Sequence, residues 1–304
     1  MKTLLTLMHR EWMQHRFGWT LLAFVPMGLA LLALSFGQIK LEDGAIERGG
    51  DAFAGIVALS SIGATAAVTF AVLWVTAVML MSGLPRRDHA DHSIEFWLSL
   101  PTSHTVSLAA PLLMHLVVVP AAALLVGLAG GYVVSLVVVS RLAGLAAWVA
   151  LPWADIFAVT LGMTARALVG LPLATLWLLP LVLLVMVATA WFRRWGWVVL
   201  VVGLGLGNLA TQYWFGAPLI NQVLAALLVH ARDAFIASGA YASPANQPSE
   251  LFLQLQSVPG WALRDLGHAL RDLASPLLAG ALLFAAACFA LLVHWRQRGA
   301  GAAG

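Results

Sequence analysis

Apolar residues dominate this chain in long unbroken runs rather than in alternation with polar ones. Six stretches, at about 17–37, 55–83, 107–138, 167–191, 195–216 and 273–295, have the length of a membrane crossing. A helix rises 1.5 Å per residue, so roughly 20 apolar residues cross a hydrocarbon layer of about 30 Å. No charged residue stands in the middle of any stretch. The second and third exceed the minimum, which implies tilt or extra turns outside the bilayer. The pattern predicts an all-α membrane protein: a single domain over 1–304 with six transmembrane helices. The first stretch also admits a signal-peptide reading, with 1–16 as the basic region and Ala33-Leu34-Ser35 as a weak cleavage site. Its run of about 20 apolar residues is longer than such a segment normally carries, which favours a span.

The segments between the runs have patterns of their own. In residues 1–16, Leu4, Leu5, Met8 and Trp12 recur at helical spacing while Lys2, Arg10 and Arg16 lie elsewhere on the wheel. An amphipathic helix at the lipid interface accounts for this, and a plain basic flank is the simpler alternative. Segment 84–106 lies between the second and third runs. Pro85 and Pro101 bracket a polar run and then Ile94, Phe96, Trp97, Leu98 and Leu100. Proline discourages helix continuation on both sides of itself. Exposed aromatic rings in a short loop read as a docking surface for another protein, or as rings resting at the bilayer interface. His89, Asp91, His92 and Glu95 in the same segment have metal-ligand chemistry, but four polar side chains in a charged loop are more often solvated.

The turn Arg193-Arg194-Trp195-Gly196 allows only an antiparallel hairpin, with Trp191, Trp195 and Trp197 marking the interface. Segment 139–166 reads as an outer connection containing Trp148, Pro152, Trp153 and Asp155. Segment 217–272 holds two amphipathic candidates. One, about 221–237, groups Val223, Leu224, Leu227 and Leu228 away from Arg232 and Asp233. The other, about 260–272, sets Leu263, Leu266 and Leu270 opposite Arg264, Asp265, Arg271 and Asp272. The loop Ala242–Ser249 separates them. These helices either lie on the outer membrane surface or cap a substrate route. Gly127-x3-Gly131 and Gly203-x3-Gly207 are small-residue pairs that let a second helix approach closely. Gly203 and Gly207 are candidates for a contact between subunits, with packing inside one chain as the alternative.

Composition sharpens the class. Of 304 residues 62% are hydrophobic and 10% charged, too few charges to cover a water-soluble globule of this size. One cysteine, Cys288, permits no internal disulfide and no thiolate metal cluster. The net charge of +3 is small and scattered, against nucleic-acid binding. The basic residues also set the orientation. With the N-terminus in the cytoplasm, the inner segments hold Lys2, Arg10, Arg16, Arg86, Arg87, Arg193, Arg194, Arg296 and Arg298 against Glu11, Asp88, Asp91 and Glu95. The outer segments hold seven basic and nine acidic residues, so the positive-inside bias places both termini inside.

Several chemistries lack their residues. Ion-coupled carriers place ionisable groups inside the membrane, and the cores of the predicted spans hold essentially none; His115, alone in the third, is weak evidence. No His-Glu-x-x-His, Gly-x-Ser-x-Gly or acidic pair occurs within a span, which disfavours an intramembrane enzyme. Neither Lys2 nor Lys40 completes a phosphate-binding Gly-Lys-Ser/Thr. Uphill movement would need energy from another chain.

A basic amphipathic N-terminus, six spans, an inner loop with an aromatic run and no nucleotide site together resemble the permease subunit of type-2 ABC exporters. The match is closest from Arg86-Arg87-Asp88 through Ser93-Ile94-Glu95-Phe96-Trp97-Leu98-Ser99-Leu100-Pro101-Thr102-Ser103, where such permeases carry a charged run and then a hydrophobic stretch ending in Leu-Pro-Val/Thr-Ser. The resemblance implies a multi-pass protein of the bacterial cytoplasmic membrane. It would pair with a second permease copy or homologue, contact membrane lipids and bind two cytoplasmic ATPase subunits that hold ATP and Mg. This chain itself would bind no cofactor or metal and catalyse no reaction. Residues 1–16 would form an elbow helix. Arg86, Arg87, Ser93, Ile94, Glu95, Phe96, Trp97, Leu98 and Leu100 would couple to the ATPase through a short helix at about 91–100. The cargo would be an amphipathic or hydrophobic molecule. Segment 217–272 departs from the compact re-entrant pair that the family often has before its last span. The rival readings are a membrane anchor that docks a partner without transport and, behind it, an intramembrane enzyme.

Overall fold

The computed structural model describes residues 2–37, 45–90, 103–236 and 257–299, and among them every regular element is helical. The helices are α1 (Lys2–Phe36), α2 (Ala45–Ala90), α3 (His104–Leu113), α4 (Val119–Ala143), α5 (Leu145–Val149), α6 (Trp153–Phe192), α7 (Gly196–Phe215), α8 (Leu219–Asp233), α9 (Val258–Asp272) and α10 (Pro276–Gly299). A π-helical turn, Met114–Val118, joins α3 to α4. Ser103 caps α3, its side chain accepting from the Val106 amide at 3.3 Å.

Five helical stretches are long and apolar enough to cross a membrane: Thr3–Phe36, Phe53–Arg86, His104–Ala143, Trp153–Phe215 and Pro276–Gln297. The fourth covers 63 residues and takes in both predicted runs at 167–191 and 195–216. It is interrupted at Arg193–Trp195, where Arg193 adopts φ 56°. The chain turns back there so tightly that a Cβ on Gly196 would stand 2.7 Å from the Thr189 Cα.

Three boundaries differ from expectation. No break at residue 16 separates an elbow helix from a span, because α1 is continuous. Nothing around Arg16 and Phe17 terminates a helix, and the Thr20 hydroxyl bonds back to the Arg16 carbonyl at 2.7 Å. Pro85 does not end α2, which continues to Ala90. The Ser82 carbonyl, in the turn before Pro85, accepts from Thr189 Oγ1 at 2.6 Å. A neighbouring hydroxyl thus occupies backbone that the proline ring disturbs. The outer connection before the fourth run is shorter than its composition implies, since α6 already begins at Trp153. Segments 91–102 and 237–256, which contain the aromatic run and the Ala242–Ser249 loop, lie outside the described residues.

The packing has two ends. At one, Met81 and Leu84 of α2 meet Leu108 and Leu112 of α3, Met186 of α6 and Leu292 of α10. Arg296 of α10 donates to Ser107 Oγ at 3.0 Å beside them. At the other, Ala58 and Ile62 of α2 pack on Val139 of α4 and Ile156 of α6. Helix α1 runs alongside, with Trp19 and Ala23 against Leu73 and Ala77 of α2 and Ala123 of α4. Its fully buried positions are Leu7, Glu11, Trp19 and Ala23; of the expected stripe of Leu4, Leu5, Met8 and Trp12, Met8 and Trp12 pack against the same cluster while Leu5 is exposed.

Helices α2 and α4 make the closest contact. A Cβ on Gly131 would stand 2.7 Å from the Ile62 Cα, and one on Gly127 would stand 2.9 Å from the Ala66 Cα. This small-residue pair therefore joins two helices of one chain. Without a hydrophobic driving force between helices in lipid, such close packing supplies much of the attraction. The second pair is different. A Cβ on Gly207 would meet Ile220 of α8 at 2.7 Å, whereas Gly203 faces open space on an otherwise exposed α7. We predict that Gly131→Leu destabilises the detergent-solubilised chain by more than the ~1–3 kcal/mol typical of overpacking and so lowers its thermal unfolding temperature. Gly18→Ala, which meets no atom within 4 Å, leaves it unchanged or raised.

Candidate functional site

Helices α2, α4 and α6 leave a cavity of about 520 Å³ between them. Gly63, Ala67 and Phe70 of α2, Leu128 of α4, and Met163 and Ala167 of α6 are among the residues of its wall. The small residues Gly63 and Ala67 create the space, since nothing approaches the Gly63 Cβ position within 4 Å. The polar side chains on the wall are Ser60, Thr160 and Thr164. The first two turn inward to backbone: Ser60 Oγ donates to the Val57 carbonyl at 3.1 Å and Thr160 Oγ1 to the Ile156 carbonyl at 2.8 Å. Thr160 also shares a 2.7 Å hydrogen bond with Tyr132. A space with this lining takes an apolar or amphipathic guest and gives a charged one little to hold.

One wall of the cavity depends on a buried ion pair. Phe235, just beyond α8, lines the cavity with its ring edge-on to Phe70 at 5.5 Å. The preceding residue, Ala234, is fixed by Arg166 of α6, whose Nη1 donates to the Ala234 carbonyl at 2.5 Å. The same guanidinium donates through Nε (2.9 Å) and Nη2 (2.8 Å) to Asp265 Oδ2 on α9. Nη2 also lies 3.4 Å from the Asp233 carbonyl. Arg166 and Asp265 are only 3% and 2% exposed. The carbonyls at the C-terminal end of α8 carry partial negative charge, which suits a cation. Gly170, one turn along α6, leaves room for this approach: a Cβ there would meet the Ala234 carbonyl oxygen and, at 3.0 Å, Arg166 Nη1.

This arrangement corrects two expectations. Arg166 is not an outer-loop cation but a buried member of α6. Asp265 is not on the polar side of α9: it faces inward with Trp261, Ala262 and Ala269, while Leu263 and Leu270 are exposed. A buried guanidinium requires a counter-charge, and this requirement outweighs the leucine stripe in setting how α9 turns. The small Ala262 and Ala269 permit the close approach. The sequence did hold a signal, since Arg166 is the single charge between Asp155 and Arg193. A lone arginine in so apolar a run marks a buried, partnered position.

Of the residues predicted for coupling, the described ones, Arg86 and Arg87, are not part of this cavity's lining. Arg86 is half-buried in the last turns of α2, and Arg87 follows it within that helix. Ser93, Ile94, Glu95, Phe96, Trp97, Leu98 and Leu100 lie outside the described residues, as do Asp91 and His92 of the metal reading. Gly203 and Gly207 are on α7, away from the cavity lining. No protein-family model, curated protein or solved structure matches the chain.

Removing one partner of a buried pair leaves an uncompensated charge, at a cost of about 3–5 kcal/mol. Arg166→Met alone should therefore strongly destabilise the solubilised chain, and Asp265→Leu alone should do the same. The double variant should recover part of the loss but not all, because the carbonyls of Asp233 and Ala234 lose their donor. A thermal-unfolding double-mutant cycle measures the coupling.

Proposed function

We propose that the chain is the membrane-spanning permease subunit of an ATP-driven exporter, moving an amphipathic or hydrophobic molecule and powered by a separate ATPase. The observation that carries this reading is the apolar cavity between α2, α4 and α6, walled by helices of membrane-crossing length. An ionic cargo would find little compensation there. The Arg166–Asp265 pair fixes α8 and α9 at the rim, the position a gate needs.

The packing supports a route for the driving force. The C-terminal end of α2 and the start of α3, which flank segment 91–102, are packed with the ends of α6 and α10. A partner pulling on Phe96, Trp97 and Leu98 would load several crossing helices at once. Helix α7 has only Gly196 buried and carries Gly203 in the open. It is the face we assign to a second permease copy. The reading includes six crossings, with the Arg193–Trp195 turn dividing the fourth apolar stretch, and both termini in the cytoplasm of a bacterial inner membrane.

The test is co-expression with a P-loop ATPase sought in the neighbouring reading frames, followed by reconstitution. Trp97→Asp should abolish stimulation of ATP hydrolysis while insertion is unchanged. A central tryptophan in an interface is worth about 2 kcal/mol or more, so ATPase affinity should fall at least ~30-fold. Ala67→Trp fills the cavity and should stop flux of a lipid-like substrate while leaving the ATPase bound. Wild-type coupling in Trp97→Asp would overturn the docking assignment. An ATPase that binds and hydrolyses without driving flux would favour the anchor reading instead.

A further inference from the structure

A second buried polar cluster lies apart from the cavity. Glu11 and His15 of α1 face His115 in the π-helical turn between α3 and α4, and one ligand-capable atom from each lies within 4.8 Å of the others. Glu11 is 2% and His115 1% exposed. The His115 ring packs against those of Trp19 (centroids 5.5 Å) and His15 (5.6 Å). His115 is therefore not the solitary intramembrane histidine that its sequence position implies.

The Glu11–His115 distance fits shared ligation better than direct bonding. Glu11 Oε2 and His115 Nε2 are 3.5 Å apart, beyond the 2.7–3.2 Å of an ordinary N–H···O bond. Two donors on one tetrahedral ion, each bonded at about 2.0–2.1 Å, stand about 3.3–3.4 Å apart. The other ring nitrogen, His115 Nδ1, is buried without a hydrogen-bond partner. The imidazole thus has no bond of normal length on either side, although burial makes an unmet polar group costly. The π-turn adds to the case. Single π-turns within α-helices are rare and occur frequently at functional sites. This one carries His115.

We propose that Glu11, His15 and His115 bind one divalent transition-metal ion of the Zn2+ class. Two imidazoles and one carboxylate are a borderline donor set that selects Zn2+, Co2+ or Ni2+ over Ca2+ and Mg2+, which prefer all-oxygen shells. The three protein ligands leave a fourth position for water. The ion's role is to clasp α1 to α3 and α4. Helix α1 needs such a fastening, because little of it is buried: its packed face is a single stripe through Leu7, Glu11, Trp19 and Ala23. This inference is independent of the transport reading and also of the His89/His92 metal reading.

The test uses the full-length chain in detergent, its purification tag removed, stripped with chelator and titrated with Co2+. One Co2+ should bind per chain, give the visible absorption of a low-coordinate site, be displaced by Zn2+ and raise the unfolding temperature. X-ray absorption on the Zn2+ form of the unmutated protein should count two imidazole ligands. Glu11→Gln, His15→Ala and His115→Ala should each weaken binding by at least the ~10–100-fold seen for loss of a supporting ligand contact. His89→Ala/His92→Ala should leave it unchanged. Failure of the unmutated chain to bind Co2+ or Zn2+ would overturn the proposal. So would a Zn2+ spectrum lacking two imidazoles, or unchanged affinity in folded Glu11→Gln.

Discussion

A guanidinium that cannot reach water must be surrounded by acceptors, and Arg166 imposes that constraint on the arrangement of this chain. It gathers α6, the end of α8 and one face of α9 around a single cation. The pair need not add net stability over a well-packed apolar substitute, because desolvating two charges offsets much of their attraction. What it does is specify. The leucine stripe of α9 would favour one rotation of the helix, and Asp265 makes a different one better by meeting Arg166. The consequence extends to Phe235, which stands beside the cavity because Ala234 is held by the same guanidinium.

Close helix contact and open space come from the same type of residue, used on different faces. Gly127 and Gly131 bring α4 against the backbone of α2. Gly63 and Ala67, on another face of α2, meet no large side chain from α6 and leave the cavity. In lipid, where apolar burial does not distinguish one helix neighbour from another, side-chain size decides both where helices touch and where they part. Helix α2 is thus at once the most tightly packed partner of α4 and one wall of the cavity.

Polar links between helices mark where the fold is held. Thr189 reaches the Ser82 carbonyl, Arg296 reaches Ser107, and Glu11 faces His115. Each joins residues far apart in sequence. Two of the three lie where α2, α3, α6 and α10 converge, the end from which segment 91–102 departs.

Hydrophobic run length determined the helical class, the approximate positions of the long apolar helices and the turn at Arg193, because these depend on neighbours along the chain. The same local logic located the Gly127/Gly131 pair. It did not give the continuity of α1 through residue 16 or of α2 through Pro85, since basic residues and a proline mark a boundary by composition while the backbone runs on through them. Nor did it give the two buried polar clusters. Arg166 and Asp265 are 99 positions apart, and Glu11 and His115 stand on helices separated by α2, so no spacing rule could pair them. The one-dimensional pattern identified which residues are out of place in lipid. Only the tertiary structure decided which of them meet, because a charge or imidazole buried in an apolar bundle is stabilised by whatever partner the packing brings within bonding distance.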